Sequence, residues 1–153
     1  MMSVESSGQC SGRRPPASSE IVRSRMSRQR RRDTQPELLV RRILHSRGIR
    51  YRVDGNPEAD LRCKADILWR QLHMAVFIDG CFWHGCPDHA TRPKANEQWW
   101  AHKLDGNIRR DRRMDAELAA RGWKVLRFWE HEDPVAVADA ICAQLVALRD
   151  GYR

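Results

Sequence analysis

The chain has 153 residues, 31% of them charged and 41% hydrophobic, which is the size of one ordinary domain with one core. Lys and Arg outnumber Asp and Glu by 28 to 20, a formal net charge of +8, so nucleic acid is the first partner to consider. No apolar run has the roughly 20 residues that a membrane span needs, and the N-terminus lacks the apolar core of a signal peptide. We therefore expect a cytoplasmic protein without a membrane partner.

The first 32 residues carry most of the net charge. They contain eight Arg and two Glu, a net charge of +6, and leave only +2 to the rest of the chain. Residues 1–20 are rich in Ser, Gly, Pro and Arg, which is typical of a disordered tail. Residues 21–32 read IVRSRMSRQRRR, and we interpret them as a basic arm that contacts DNA phosphates. The alternative is a solvated basic tail. The folded domain then spans 33–150.

The first half of this domain predicts one helix and three strands. Thr34, with Glu37 three residues later, is typical of a capping box, and the helix it starts ends at Gly48. Residues 49–53, IRYRV, alternate apolar residues with Arg, as a half-buried strand does. KADILW at 64–69 and HMAVFID at 73–79 predict a hairpin, whose nearly all-apolar second strand should be central in the sheet.

The second half predicts a long charged helix from about 96 to 121, a strand at 123–129 (WKVLRFW) and a closing amphipathic helix at 134–149 with Pro in its first turn. The order α-β-β-β-α-β-α indicates an α/β fold, a mixed sheet with helices on its faces. On the long helix the inward stripe consists of Trp100, Leu104, Ile108 and Leu118.

Asn107 and Asp111 fall on the same side of that helix as the apolar stripe. A carboxylate there is costly unless it is paired. Asp111 therefore belongs either to a functional site or to an ion pair with a neighbouring Arg.

Two Cys and two His lie within nine residues, in the segment DGCFWHGCPDH at 79–89. Cys81, Cys86 and His89 have the short spacing that lets one loop wrap a zinc ion. The fourth ligand is either His84 or the distant His131, and the alternative to zinc is ordinary Cys and His in a loop. An odd count of five Cys without a secretion signal also favours metal over disulfides. The remaining thiols are then free: Cys10, Cys63 and Cys142.

These motifs resemble the very short patch repair (Vsr) endonucleases. RDTQPE, KADIL, DGCFWHGC, W-x-x-K-L-x-x-N-x-x-R-D-x-R and GWKVLRFWEH come in the family's order over about residues 22–131. The resemblance implies a restriction-endonuclease-like core with catalytic Mg²⁺ and structural Zn²⁺. It also implies nicking of double-stranded DNA beside the thymine of a T:G mismatch left by 5-methylcytosine deamination. The enzyme would act as a monomer, with mismatch-repair proteins and DNA polymerase downstream.

The resemblance also assigns catalytic roles. Asp66 would bind magnesium together with the backbone carbonyl of Ile78. His84 would be the general base on the attacking water, and Asp111 would orient it. Asp79 is open between a metal ligand, an organiser of water at the phosphate and a simple turn residue.

Metal and DNA contacts complete the residues that the resemblance assigns. Glu37 matches a family active-site position, although a capping box alone would explain it. With His84 in catalysis, zinc falls to Cys81, Cys86, His89 and His131. The family inserts aromatic side chains beside the mismatch, which here are Phe82, Trp83 and Trp100, the last of which could instead be core. We expect DNA contacts in the arm from Arg23, Arg25, Met26, Arg28 and Arg30, and core positions for Trp69, Trp123 and Trp129.

Overall fold

The computed structural model describes residues 33–89, 91 and 93–151. The tail at 1–20, the arm at 21–32 with its five predicted DNA-binding residues, and Cys10 lie outside the described residues. No helix in the described part of the chain is both long enough and apolar enough to cross a membrane. The elements are α1 (Gln35–Ser46), β1 (Arg52–Gly55), β2 (Ala65–Trp69), β3 (Met74–Asp79), α2 (Cys81–His84), α3 (Glu97–Ala120), β4 (Lys124–Trp129) and α4 (Pro134–Asp150).

The four strands form one mixed sheet in the order β1-β2-β3-β4. β1, β2 and β3 are antiparallel neighbours, whereas β3 and β4 run parallel. Parallel strands need a crossover between them, and the long helix α3 lies in that connection. The predicted mixed sheet and the central position of β3 are confirmed, and the short helix α2 is the one α-helix of the described chain that the sequence did not predict.

The sheet separates two layers of core. On one face Ile67, Met74 and Val76 pack with residues of α1 and α4, among them Leu44 and Ile141. On the other face the buried residues include Leu118 of α3 and Trp123. The sheet is thus covered on both sides. Trp69 and Trp123 are buried as predicted, and Trp129 is half-buried.

The first strand starts later than predicted. Residues 49–51 pair with no strand, and β1 begins at Arg52, so Val53 is 42% exposed instead of half-buried. The Trp69 indole N–H donates to the carbonyl of Arg50, and the Tyr51 hydroxyl donates to the carbonyl of Arg41. These side-chain bonds hold the segment against α1 and β2, although its alternation resembled that of a strand.

The start of α1 is also different from the predicted capping box. Thr34 is the N-cap residue, but its side chain accepts no cap hydrogen bond. Its hydroxyl instead donates to Glu37, whose other carboxylate oxygen accepts from the backbone N–H of Asp33. Glu37 reaches one residue further back than the motif predicts because Arg41 holds the same carboxylate from the next turn.

Candidate active site and metal centre

The parallel pairing of β3 and β4 explains why two distant segments meet. Asp79 is the register partner of Trp129 at the last position of both strands. Parallel strands end at the same edge of a sheet, so Cys81 and His131, each two residues beyond this pair, emerge side by side. The Glu130 N–H donates to the carbonyl of Asp79, and the Glu130 carboxylate accepts from the N–H of Cys81. The carboxyl edge of β3 and β4 therefore carries the metal centre.

Four side chains converge at this edge, and their potential ligand atoms all lie within 4.8 Å of one another: Cys81, Cys86, His89 and His131. The Nδ1 atom of His131 lies 3.1 Å from the sulfur of Cys81 and 3.7 Å from that of Cys86. The His89 Nδ1 lies 3.8 Å from the Cys86 sulfur. Zinc bonds of about 2.3 Å to sulfur and about 2.0 Å to nitrogen place tetrahedral S and N ligands roughly 3.5 Å apart. The donor set and its spacing therefore fit zinc.

The Cys81 thiol of this cluster is unfavourable to ionise by itself. Burial, reinforced by the neighbouring Cys86 thiol, raises the pKa of Cys81 to about 11. Both sulfurs are buried, and a metal that binds them must displace their protons. His84, which the spacing alone left as a competing ligand, is not in the cluster.

His84 instead faces α3. Its Nδ1 lies 2.6 Å from a carboxylate oxygen of Asp111 and 3.7 Å from one of Asp79. Burial opposes the charged imidazole, but the hydrogen bond to Asp111 and the two negative charges outweigh it, so the pKa of His84 is raised. Because a carboxylate accepts at Nδ1, the other nitrogen, Nε2, is left as the basic site of the neutral ring.

The short helix α2 is fixed against α3 by two contacts. The Asn107 side-chain amide donates to the carbonyl of Trp83. Gly85 ends α2 with φ +71°, and a Cβ there would lie 2.5 Å from the end of the Ile108 side chain. Only glycine fits both the left-handed backbone and the close approach. The buried Asn107, on the same side of α3 as the predicted stripe, thus holds the backbone next to the catalytic candidate His84.

Asp66 lies in β2, next to the carboxyl edge of β3. One of its carboxylate oxygens accepts from the Ile78 N–H at 2.6 Å. Burial, with further contributions from the nearby charges of Glu37 and Asp79, raises the pKa of Asp66 to about 7. The contact with Ile78 is made by its N–H, whereas the resemblance assigns its carbonyl to magnesium, and the site has an excess of negative charge.

Glu37 belongs to a buried ion cluster beside Asp66. Its side chain is buried with that of Arg41, whose Nη2 lies 3.1 Å from the Glu37 carboxylate and 3.4 Å from the carbonyl of Asp66. The Nη1 of Arg41 binds Asp33 at 2.6 Å. Arg41 was missed from the sequence because an Arg among ordinary helix residues looks solvated. Its position four residues after Glu37 was the available signal.

Asp79 is held by a second residue that the sequence did not single out. Arg127 of β4 donates from one Nη1 to both oxygens of Asp79, at 2.9 and 2.8 Å. Its Nε lies 2.9 and 2.8 Å from the two oxygens of Asp115 on α3. Asp79 is only 8% exposed. It faces His84 and Arg127, which makes it part of an ion network and not a turn residue.

The aromatic candidates form one cluster beside α2. Phe82 contacts Trp83 and Trp100 edge-to-face, with ring centroids 4.9 and 5.5 Å apart. Trp99, which the sequence analysis did not name, packs on Trp100 at 4.9 Å. Trp100 is 9% exposed, whereas Phe82 and Trp83 are partly exposed. Of the three predicted aromatic residues, only Phe82 and Trp83 are at the surface in this conformation.

Comparison with known proteins identifies the family. Residues 19–90 match the family described as DNA mismatch endonuclease Vsr. The type II nicking enzyme V.NaeI of Lentzea aerocolonigenes is 42% identical over 140 residues, 90% of this chain and 84% of that protein. V.XorIIP of Xanthomonas oryzae, also a type II nicking enzyme, is 39% identical over 75% of this chain and 83% of its own length. DNA mismatch endonuclease Vsr of Escherichia coli is 32% identical over 65% of this chain and 62% of its own. The chain therefore belongs to the Vsr family of nicking endonucleases.

Proposed function

We propose that this protein nicks one strand of double-stranded DNA beside the thymine of a T:G mismatch, as the first step of very short patch repair. The observation that carries the proposal is the His84–Asp111 pair, 2.6 Å apart, on the same sheet edge as the half-buried carboxylate of Asp66. A base held by a carboxylate, next to a potential metal ligand, is what phosphodiester hydrolysis requires. We assign the domain to 33–150 and its core to the restriction-endonuclease-like type.

In this mechanism His84 takes the proton from the attacking water through Nε2. The water oxygen bonds to phosphorus as one bridging P–O bond breaks, and the leaving sugar oxygen is protonated by solvent. Asp111 accepts from Nδ1, which fixes the tautomer and the ring orientation and stabilises the imidazolium that forms. The Asn107 contact to the carbonyl of Trp83 holds the helix that carries His84.

The residues at Asp66 fit a magnesium ion. The half-buried carboxylate lies near the negative charges of Glu37 and Asp79, and Arg41 reaches the Asp66 carbonyl instead of the carboxylate. Hard oxygen donors short of positive charge suit Mg²⁺. Asp66 and the Ile78 carbonyl would hold it, and bound magnesium would stabilise the negative charge that develops on the phosphate.

Zinc at Cys81, Cys86, His89 and His131 has a structural role in this proposal. The four ligands join the segment after β3 to the segment after β4, and a closed set of four leaves no open position for a substrate. Phe82 and Trp83 then insert beside the mismatch, where separating the stacked bases costs least, and Trp100 supports them from behind. DNA polymerase and mismatch-repair proteins would act on the nick.

The deciding experiment uses a duplex with one T:G pair, labelled on each strand in turn, with Mg²⁺ and zinc-loaded protein. We expect one nick, on the thymine strand, and none in the matched T:A duplex. Asp66→Asn and His84→Ala should each abolish the nick and keep DNA binding in a gel shift. A wild-type protein that binds the mismatch without nicking would instead favour a non-catalytic DNA-binding module.

A related nuclease with a different target is the second candidate. It is favoured by the names of two relatives, which are type II nicking enzymes. Nicking of a panel of duplexes with randomised flanking bases, made once around a T:G pair and once around a matched T:A pair, separates the two. Cleavage of one flanking sequence without a mismatch would establish a restriction-type nickase.

A further inference from the structure

Arg127 is fixed on three sides within the site. It binds Asp79 through Nη1 and Asp115 through Nε, and its guanidinium carbon lies 4.4 Å from the ring centroid of Phe77. It is a residue of β4 whose register partner is that same Phe77. A guanidinium can bridge two carboxylates in one plane while it stacks on an aromatic ring, which an ammonium group cannot do. The geometry thus fits Arg at this position and no other cation.

Asp79 depends on this contact. Its carboxylate is buried and lies close enough to Asp66 and Asp111 to repel both electrostatically. The attractive charges that face it are Arg127, at 2.8 Å, and His84, at 3.7 Å. A buried carboxylate beside two others leaves its position or takes up a proton when its cation is removed.

We propose that Arg127 is a positioning residue for the nicking reaction. It holds the Asp79 carboxylate 3.7 Å from the His84 Nδ1, beside the Asp111 oxygen that lies 2.6 Å from the same atom, so that two carboxylates fix the Nδ1 side of the imidazole ring. The proposal rests on the proposed function of His84 as the base. It also assigns Asp79 a role: with its two oxygens bound by Arg127 it orients His84, and Asp66 remains the carboxylate available to the metal.

A purely structural role for Arg127 is the competing explanation, because the Asp115 contact joins β4 to α3. The two explanations differ in which of the two carboxylate partners of Arg127 carries the effect. A positioning role acts through Asp79, and a structural one acts through Asp115. Asp115→Asn is therefore the matched control, since it removes the charge of the second partner of Arg127 and leaves the first.

The experiment compares zinc-loaded wild type, Arg127→Met, Arg127→Lys, Asp115→Asn, Asp79→Asn and the double variant Arg127→Met/Asp79→Asn. Met keeps the apolar stem against Phe77 and removes the charge. A displacement of reacting groups by about 1 Å can cost 100-fold in rate, so we expect Arg127→Met to lower the single-turnover nicking rate on the order of 100-fold with unchanged DNA affinity. Lys should restore part of the loss, Asp115→Asn should lose less than about threefold, and the double variant should be no slower than the slower single variant.

A crystal structure of Arg127→Met keeps the test independent of nicking activity. We expect the Asp79 carboxylate to move, so that its distance from the His84 Nδ1 is no longer 3.7 Å. Retention of that separation, or an Asp115→Asn loss as large as that of Arg127→Met, would overturn the positioning role. A wild type that fails to nick while Asp79 moves in the variant would overturn the proposed function and leave the Arg127–Asp79 dependence established.

Discussion

Asp66→Asn should make the magnesium-free, zinc-loaded protein more stable at pH 8 and should abolish nicking when Mg²⁺ is added. The folded protein holds this carboxyl with its pKa raised from 3.8 to about 7. A carboxyl whose pKa is raised by folding binds its proton more tightly in the folded state, so its contribution to stability falls as pH rises from about 4 to 7 and is then constant. Asn has no charge at any pH in this range, and its carbonyl oxygen can still accept from the Ile78 N–H.

The size of the effect follows from the shift. Each pKa unit corresponds to about 1.36 kcal/mol, so ionised Asp66 costs the folded state at most about 4 kcal/mol at pH 8 and about 1.5 kcal/mol at pH 5. The stability gap between variant and wild type should therefore widen by about 2–3 kcal/mol from pH 5 to pH 8. For a chain of this length that corresponds to about 5–10 °C in the difference of Tm.

The assay is urea or thermal unfolding of both proteins from pH 5 to 8, in buffer without Mg²⁺ and without a chelator, which would remove zinc. Comparing the two proteins at each pH cancels the other titrating groups. The control is Asp105→Asn, the same substitution at an exposed carboxylate of α3, against which the pH dependence of the Asp66→Asn gap is compared. If the stability difference between Asp66→Asn and wild type were the same at every pH, the claim that folding raises the pKa of Asp66 would be wrong. Added Mg²⁺ should stabilise the wild type and not the Asp66→Asn variant.

Three further predictions concern the metal cluster, α2 and the arm. His131→Ala should lose zinc, as measured by mass spectrometry of the metal content, and should destabilise the fold, since structural zinc binding contributes directly to folding. The exposed control His102→Ala should keep both its zinc and its stability. Equal zinc content in the two variants would contradict the zinc site. Gly85→Ala should cost about 1–2 kcal/mol for its left-handed backbone plus the clash with Ile108, and Gly122→Ala, with φ +81° and no neighbour within 4 Å, should show the first cost alone in urea unfolding. Deletion of residues 1–32 should reduce the slope of log K against log salt by about 0.9 for each phosphate that the arm neutralises, with the cleaved mismatch unchanged; a slope equal to that of the full chain would leave the arm without a DNA role.

The sequence predicted the elements well where hydrophobic periodicity was strong. The hairpin of β2 and β3, the long α3 and the closing α4 begin and end within about two residues of the predicted bounds. It failed at residues 49–53, where alternation was read as pairing. Hydrogen bonds from the Trp69 and Tyr51 side chains hold the start of that segment against β2 and α1. Such long-range contacts leave no periodic signal in the sequence.

The candidate site also contains residues that could be predicted from the sequence and residues that could not. Cys81, Cys86 and His89 could be grouped from their spacing, and His131 could be proposed because it follows a strand. Arg127 could not be found, since the composition of a basic protein makes any single Arg unremarkable, and Arg41 offered only the weak signal of its position four residues after Glu37. Their positions become informative only when the fold places each one against buried carboxylates.

The distribution of positive charge has a consequence for substrate binding. The site itself is acidic, with Glu37, Asp66, Asp79 and Asp111 on or near one sheet edge, and it must approach a phosphate backbone. Arg41 and Arg127 use their donors on those carboxylates, so neither is free to bind a phosphate. In the proposed function the attraction would come from a cation at Asp66 and from Arg outside the site, such as the exposed Arg109, Arg112 and Arg113 of α3 and the eight Arg of residues 1–32. Because the outer charges act at long range and are screened by salt, raising the salt should weaken DNA binding more than it slows the nicking of DNA already bound.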